Sequence, residues 1–251
     1  MHPLEQGLLF LISAVANLLS ALAGGGAGLL QLPALIFLGL PFAIALATHK
    51  VASVALGVGA TARFMRSGLI ERHLALFILF CGLPGVVLGA SVILQVPERA
   101  AQIALGILTL GLGLYSVLRP ELGTMAVERH RSGQSYWFGG FILFAIGALN
   151  GSLTSGTGLF VTLWLVRWFG LEYRVAVAYT LIFVGLFWNG AGAVTLGMQG
   201  AIRWDWLPAL VLGSLIGGYL GAHLAIVRGN KLVKRAFEIV TILLGLKLLL
   251  G

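Results

Sequence analysis

Charge is the scarcest feature of this chain. Of its 251 residues only 10% are Asp, Glu, Lys or Arg, while 59% are hydrophobic, with a mean hydropathy of +1.02. A soluble domain carries about 25% charge, so this composition belongs to a polytopic membrane protein. Acids are the rarer sign: eight Asp and Glu stand against sixteen Lys and Arg, for a net charge of +8. Too few acids fall inside apolar segments to build the oxygen cage that a divalent cation requires. Cysteine is nearly absent. Cys81 stands alone, which excludes an internal disulfide and any cysteine-built metal site, and it reads as a small apolar core residue. The chain has no Walker A loop, no Gly-x-Gly-x-x-Gly after a strand and no His-Glu-x-x-His. Ser152 and Ser155 have no base nearby in sequence, so neither a cofactor nor enzymatic chemistry is expected. The positive balance reads as a membrane-orientation signal rather than as a nucleic-acid surface. Met1–Gln6 carries no Lys or Arg, and the apolar run behind it continues into a glycine cluster, so no cleavable leader is expected.

Glycine, in contrast, is abundant at 36 residues, about twice its usual share. Its densest cluster, Ala23-Gly24-Gly25-Gly26-Ala27-Gly28, interrupts the first apolar run, and Leu153-Thr154-Ser155-Gly156-Thr157-Gly158 echoes it later. Each glycine costs a helix about 1 kcal/mol against Ala. In lipid the freed backbone groups must find partners in protein or in a water-filled cavity. Paired breaks in two halves of a membrane chain are the sequence pointer to a transporter site.

The apolar segments run over 7–39 (broken at 24–28), 41–64, 74–95, 100–118, 136–169 (broken at 154–158), 173–198, 206–227 and 232–250. The longest polar loop, Arg119–Ser135, divides them into a first repeat over 1–118, a linker over 119–135 and a second repeat over 136–251. At an offset of 130, Gly26, Gly28, Leu29 and Leu35 meet Gly156, Gly158, Leu159 and Leu165. At 132, Gly68, Ile70, Gly85, Gly89, Thr109 and Gly113 meet Gly200, Ile202, Gly217, Gly221, Thr241 and Gly245. A sustained register of this kind marks a duplicated unit.

Charge sets the relative orientation of the two units. If every segment crosses once, basic residues divide seven against seven between the two sides, which violates the positive-inside rule. If each broken segment enters and returns on one side, Arg63, Arg66, Arg72, Arg119, Arg129, Arg131, Arg167, Arg174, Arg228, Lys231, Lys234 and Arg235 share a side, leaving Arg99 and Arg203 opposite. The expected fold is therefore an all-α polytopic membrane protein of two inverted repeats, each a re-entrant helical hairpin followed by three transmembrane helices. The linker is expected in the cytoplasm and both termini outside, whether or not the first leg of each hairpin fully crosses.

In this topology 29–39 and 159–169 are half-helices of about 16 Å, beginning near the midplane of a bilayer core about 30 Å thick. Their facing N-termini offer unpaired N–H groups and positive dipole ends, an anion site made of backbone. Gly25, Gly26, Gly28, Gly156 and Gly158 form it; Thr154, Ser155 and Thr157 add hydroxyls, and Gln31 and Asn150 add amides. Tight helix crossing is the plainer use of such small residues. Lys50, in Ala47-Thr48-His49-Lys50, lies about ten residues into its segment with no carboxylate close in sequence. A charge at that depth costs at least ~2.5 kcal/mol, so it needs a partner, either an anionic substrate or a carbonyl. Thr48 is a further donor. His49 either relays protons or bonds a neighbour. Glu238 either couples protons or, as the stronger reading, pairs with Arg235 at i−3. Asn189 reads as interhelical glue. Trp137, Trp164, Trp168, Trp204 and Trp206 read as interface anchors, whereas Trp188 lies too deep for one.

With these residues the chain resembles the TauE/SafE sulfite-exporter family, also called the TSUP permeases. The likeness is carried by Gly24-Gly25-Gly26-Ala27-Gly28-Leu29-Leu30-Gln31-Leu32-Pro33, by Ala47-Thr48-His49-Lys50, by Gly156-Thr157-Gly158 and by the Gly217–Gly221 and Lys231–Lys247 stretches. It covers nearly the whole chain. The resemblance implies transport of small sulfur-containing anions, such as sulfite or organosulfonates, across a bacterial-type inner membrane. The expected function is a secondary transporter, most simply an exporter, with a proton or sodium ion as its coupling partner. The same residues would also serve an anion channel, and a non-transporting scaffold or subunit is the third reading.

Overall fold

The computed structural model describes residues 3–92, 98–127, 129–130, 132–153, 156–199 and 202–250. Every regular element among them is helical, because lipid offers no water to satisfy an open backbone. α1 (Pro3–Ala23) runs into the first glycine break and α2 (Ala27–Phe37) leaves it. α3 (Phe42–Phe64), α4 (Arg72–Val92) and α5 (Glu98–Val117) follow. The second half has the same order: α6 (Gly133–Leu153), a break, and α7 (Thr157–Arg167). α8 (Tyr173–Tyr179) then continues through a π-helical stretch, Thr180–Trp188, into α9 (Asn189–Gln199), and α10 (Leu207–Leu250) closes the chain. Five helical stretches are long and apolar enough to cross a membrane: Pro3–Ala23, Phe42–Ser67, Arg72–Val92, Tyr173–Met198 and Trp204–Lys247. The fold is an all-α polytopic membrane protein.

Two features depart from expectation. The segments anticipated at 206–227 and 232–250 form one 44-residue element, α10. Straight, it would extend about 66 Å, twice a bilayer core. Gly229, at φ 71° and ψ −168°, leaves the helical region and bends it. The part before the bend packs on α1 and α3, and the part after it on α5. Trp206, expected at an interface, is buried beneath the Arg203 guanidinium, 5.9 Å from the ring centre. Trp137 and Trp204 are exposed, as anchors should be, and deep Trp188 is fully buried, seated on Gly82 where no Cβ would fit.

Small residues let the helices approach closely, which is how helices associate without a hydrophobic drive between them. A Cβ on Gly85 of α4 would lie 2.1 Å from the Phe144 carbonyl oxygen of α6, and one on Gly217 of α10 would lie 2.3 Å from that of Ala14 of α1. These two contacts correspond at the offsets 132 and 130 noted in the sequence. Residue numbers rise together along both pairs, since Gly89 meets Ala148 and Gly221 meets Leu18. Along α3 and the π-helical stretch they run oppositely: Gly57 meets Gly185, while Lys50 reaches Asn189. Basic groups from distant segments gather around the ends of α3, α5 and α7. Arg63 donates to His223 at 3.1 Å, Arg167 to Tyr115 at 2.8 Å, and Lys234 to the Arg119 carbonyl at 2.8 Å.

Candidate functional site

The first break is held open by glycine. Gly24, Gly25 and Gly26 take φ values of 83°, 138° and 99° in succession, a run that no other residue type adopts without strain. The N–H groups of Gly24 and Gly25 both return to the Ser20 carbonyl, at 2.8 and 2.9 Å. The Gly24 carbonyl accepts from Thr162 Oγ1 of α7 at 2.8 Å. The first break therefore uses a group of the other half to satisfy its backbone. Gly26 is the N-cap of α2 and Gly156, at φ 77°, that of α7, and glycine has no side chain with which to cap. The first turn of a helix carries the positive end of its dipole, and in α7 the Leu159 N–H turns back to the Gly156 carbonyl at 2.9 Å.

The two breaks touch. A Cβ on Gly25 would lie 2.7 Å from Gly158 Cα, and one on Gly158 would lie 2.9 Å from Gly25 Cα. Beside this contact is a cavity of about 30 Å³. A single water needs roughly 10–15 Å³, so the space holds about two waters and is tight for a small oxyanion. The breaks contribute Gly25, Gly26, Ala27, Gly28 and Gly158 to its wall. α3 contributes His49, Ser53 and Leu56, α1 Ser20, α6 Asn150, and the π-helical stretch with the start of α9 Thr180, Leu181, Val184, Gly185 and Asn189. π-helical turns occur often at functional sites, and this one widens the helix where it faces the cavity.

Lys50 is fully buried behind that wall. Its Nζ donates to the Asn150 carbonyl at 2.7 Å, to Asn150 Oδ1 at 2.9 Å and to Asn189 Oδ1 at 3.2 Å. Three ammonium protons thus meet three neutral oxygens, and a Cβ added to Gly192 would lie 3.1 Å from Lys50 Cε and 3.3 Å from Cδ, so glycine there leaves room for the stem. Asn150 in turn donates from Nδ2 to Thr157 Oγ1 at 2.8 Å. The countercharge therefore stands one layer behind the cavity, holding the two asparagines that line it. His49 bridges elements: Nδ1 is 2.8 Å from Gln31 Oε1 and Nε2 is 3.1 Å from Ser53 Oγ.

Other expected residues lie elsewhere. Gln31 stands behind His49 and not on the cavity wall. Thr48 faces away and accepts from the Arg203 N–H at 3.0 Å. Thr154 and Ser155 lie outside the described residues. Glu238 pairs with Lys234 at 3.1 Å rather than with Arg235, and accepts from Ser116 at 2.9 Å. That cluster also contains Tyr173, whose ring lies 5.6 Å from Lys234 Nζ, and it shares no residue with the cavity wall. The sequence reading missed Ser20, Ser53 and Thr180, and gave Asn189 only a packing role. Two of these carried a signal: Ser53 is one turn beyond His49, and Ser20 matches Asn150 at the offset of 130.

Two glycine helix breaks meeting at a small cavity, with a buried lysine behind it, are the architecture of a membrane transporter. The chain belongs to the TauE/SafE family, matching the family described as Sulfite exporter TauE/SafE over residues 9–248. It is similar to a probable membrane transporter protein of Haemophilus influenzae, with 28% identity covering 96% of this chain and 93% of that one. It is also similar to the probable membrane transporter protein YfcA of Escherichia coli K12, at 29% identity over 98% and 90%. A third relative, ORF9 of a Sinorhizobium species, is 30% identical over 96% and 91%. No solved structure matches the chain.

Proposed function

We propose that the protein is a secondary transporter that exports a small sulfur-containing anion, such as sulfite or an organosulfonate, across a bacterial-type inner membrane. The observation that carries this reading is the contact of two glycine-capped helix N-termini at one small cavity whose asparagines are held by Lys50. Backbone N–H groups of α2 and α7 bind the anion's oxygens, and Asn150, Asn189, Ser20 and Thr180 complete the shell. Lys50 supplies the positive charge through the asparagines. The two halves are inverted repeats, a reading supported by the opposite course of α3 and the π-helical stretch and by the gathering of basic groups. They rock against each other around a fixed site. A doubly negative anion leaves a negative-inside cell down the potential, at ~2.3 kcal/mol per charge per 100 mV, so export needs no ATP.

Flux of labelled sulfite into proteoliposomes tests the reading. Saturable uptake, competed by small sulfonates, is the expected result. Uptake that never saturates at high unitary rate identifies a channel, and no uptake of any anion identifies a scaffold. The orientation has its own test. Single cysteines introduced in the 119–135 linker and after Leu250, in a Cys81→Ser background, are expected to react with an impermeant maleimide from opposite sides. Reaction from the same side rules out inverted repeats.

A further inference from the structure

We infer that His49 binds a proton drawn from the same cavity the anion occupies, so that one proton travels with each anion. This rests on the anion-site reading above and adds the coupling ion to it.

The inference follows from the directions that the hydrogen bonds impose. Ser13 Oγ lies 2.6 Å from the Leu210 carbonyl oxygen, which can only accept, so the one hydroxyl proton of Ser13 is committed there. Gln31 lies 3.1 Å from Ser13 Oγ and must therefore turn its NH₂ to Ser13. Its Oε1 then faces His49 Nδ1 at 2.8 Å. An amide oxygen only accepts, so Nδ1 carries the ring's N–H, and Nε2 of the neutral imidazole keeps a lone pair. Ser53 Oγ, 3.1 Å from Nε2, is its donor, and His49 and Ser53 both line the cavity.

The other side of the ring is closed to protons. Gln31 offers an amide, which passes none. Beyond it Ser13 meets Ser214 at 2.9 Å, Asn17 Nδ2 donates to Ser214 at 2.9 Å, and the chain ends on the Leu210 carbonyl. Nε2 is thus loaded and unloaded only through the cavity. The groups that face the ring or the cavity beside it are Ser20 of α1, Gln31 of α2, Asn150 of α6, Thr180 of the π-helical stretch and Asn189 of α9, none of them titratable. Lys50 on the same helix is the charged neighbour, and its three protons are already placed.

Loading forms an Nε2–H bond as an O–H bond breaks in a cavity water or in the acid form of the oxyanion, and Ser53 then turns to accept. The imidazolium and the anion attract across the cavity, and such coupling is reciprocal: each raises the affinity for the other. A doubly negative anion leaves with one net negative charge, so the potential still drives export.

The test uses methanesulfonate, whose charge is constant near neutral pH, in proteoliposomes with the potential clamped and a pH dye inside. In the native protein uptake is expected to rise as the external pH falls, by up to about tenfold per unit for one proton, with acidification of the lumen. His49→Asn, which can still bond Gln31, is expected to transport with a flat pH profile and no acidification. Equal pH slopes in the two proteins, or native uptake without acidification, overturn the inference while leaving the anion site intact. Absence of any anion flux in the native protein overturns the anion site instead. Should His49→Asn prove inactive, ¹⁵N-histidine NMR of the native protein decides. The expected spectrum is an Nδ1–H tautomer that becomes doubly protonated on adding methanesulfonate at constant pH. An Nε2–H tautomer, or a ring that ignores the anion, rejects proton binding.

Discussion

Gly25→Ala is expected to abolish transport and to destabilise the protein strongly. The new Cβ would lie 2.7 Å from Gly158 Cα, from the Gly158 carbonyl carbon and from the Leu159 nitrogen. All three are backbone atoms, so no rotamer change relieves the contact. Gly25 also has φ 138°, where an L residue is strained by about 1–3 kcal/mol, and overpacking adds about as much again. Together these amount to about 4 kcal/mol, a large share of a protein's stability. Thermal melting in detergent checks the stability, and sulfite flux the function. Gly39→Ala is the control: its φ is 98°, but nothing lies within 4 Å of its added Cβ, so it carries the strain without the collision. A melting shift for Gly25→Ala no larger than that of Gly39→Ala would mean that the breaks do not touch in the membrane.

Where the chain breaks was legible in the sequence, because three consecutive glycines are a local fact with a local cost. α2 and α7 start two residues before the expected 29 and 159, still in register at the offset of 130, with Gly26 and Gly156 in the same left-handed conformation. That Lys50 lies in the interior of its helix was legible too, since counting from Pro41 needs no tertiary information, and it is fully buried there. What Lys50 touches was not. Its oxygens come from residues 100 and 139 positions away, and hydrophobic periodicity reports only which face a helix buries. The same holds for Glu238. Arg235 and Lys234 are both within a turn of it, and the choice of Lys234 follows from Ser116 and the Arg119 carbonyl on α5 and its end. The bend in α10 was half legible: Gly229 stood in the polar gap at 228–231, but a glycine can end a helix or bend it, and packing on α5 decides which. The π-helical stretch left no trace, because Thr180–Trp188 is apolar on every face and only its contact with Gly57 shows where it widens.

Lys50→Met separates electrostatics from packing. The substitution leaves three oxygens without their donor, at about 1–3 kcal/mol for each buried group. It also removes an ammonium whose place in the membrane costs at least ~2.5 kcal/mol, and methionine fills most of the same volume beside Gly192. These effects oppose each other, so the melting temperature is expected to move little. Transport has no such compensation. The anion then meets two helix termini with no formal charge behind them and asparagines no longer held toward their helices, and flux is expected to fall at least about 100-fold, equivalent to ~2.7 kcal/mol of anion binding. Adding Asn189→Leu to Lys50→Met removes one of the stranded oxygens and is expected to raise stability without restoring flux. A purely structural role for Lys50 predicts the reverse, with flux returning as the fold recovers. Full flux in Lys50→Met alone, with an unchanged circular dichroism spectrum, would place the whole of the binding on the backbone of α2 and α7, and the lysine would then serve only to tie α3 to α6 and α9.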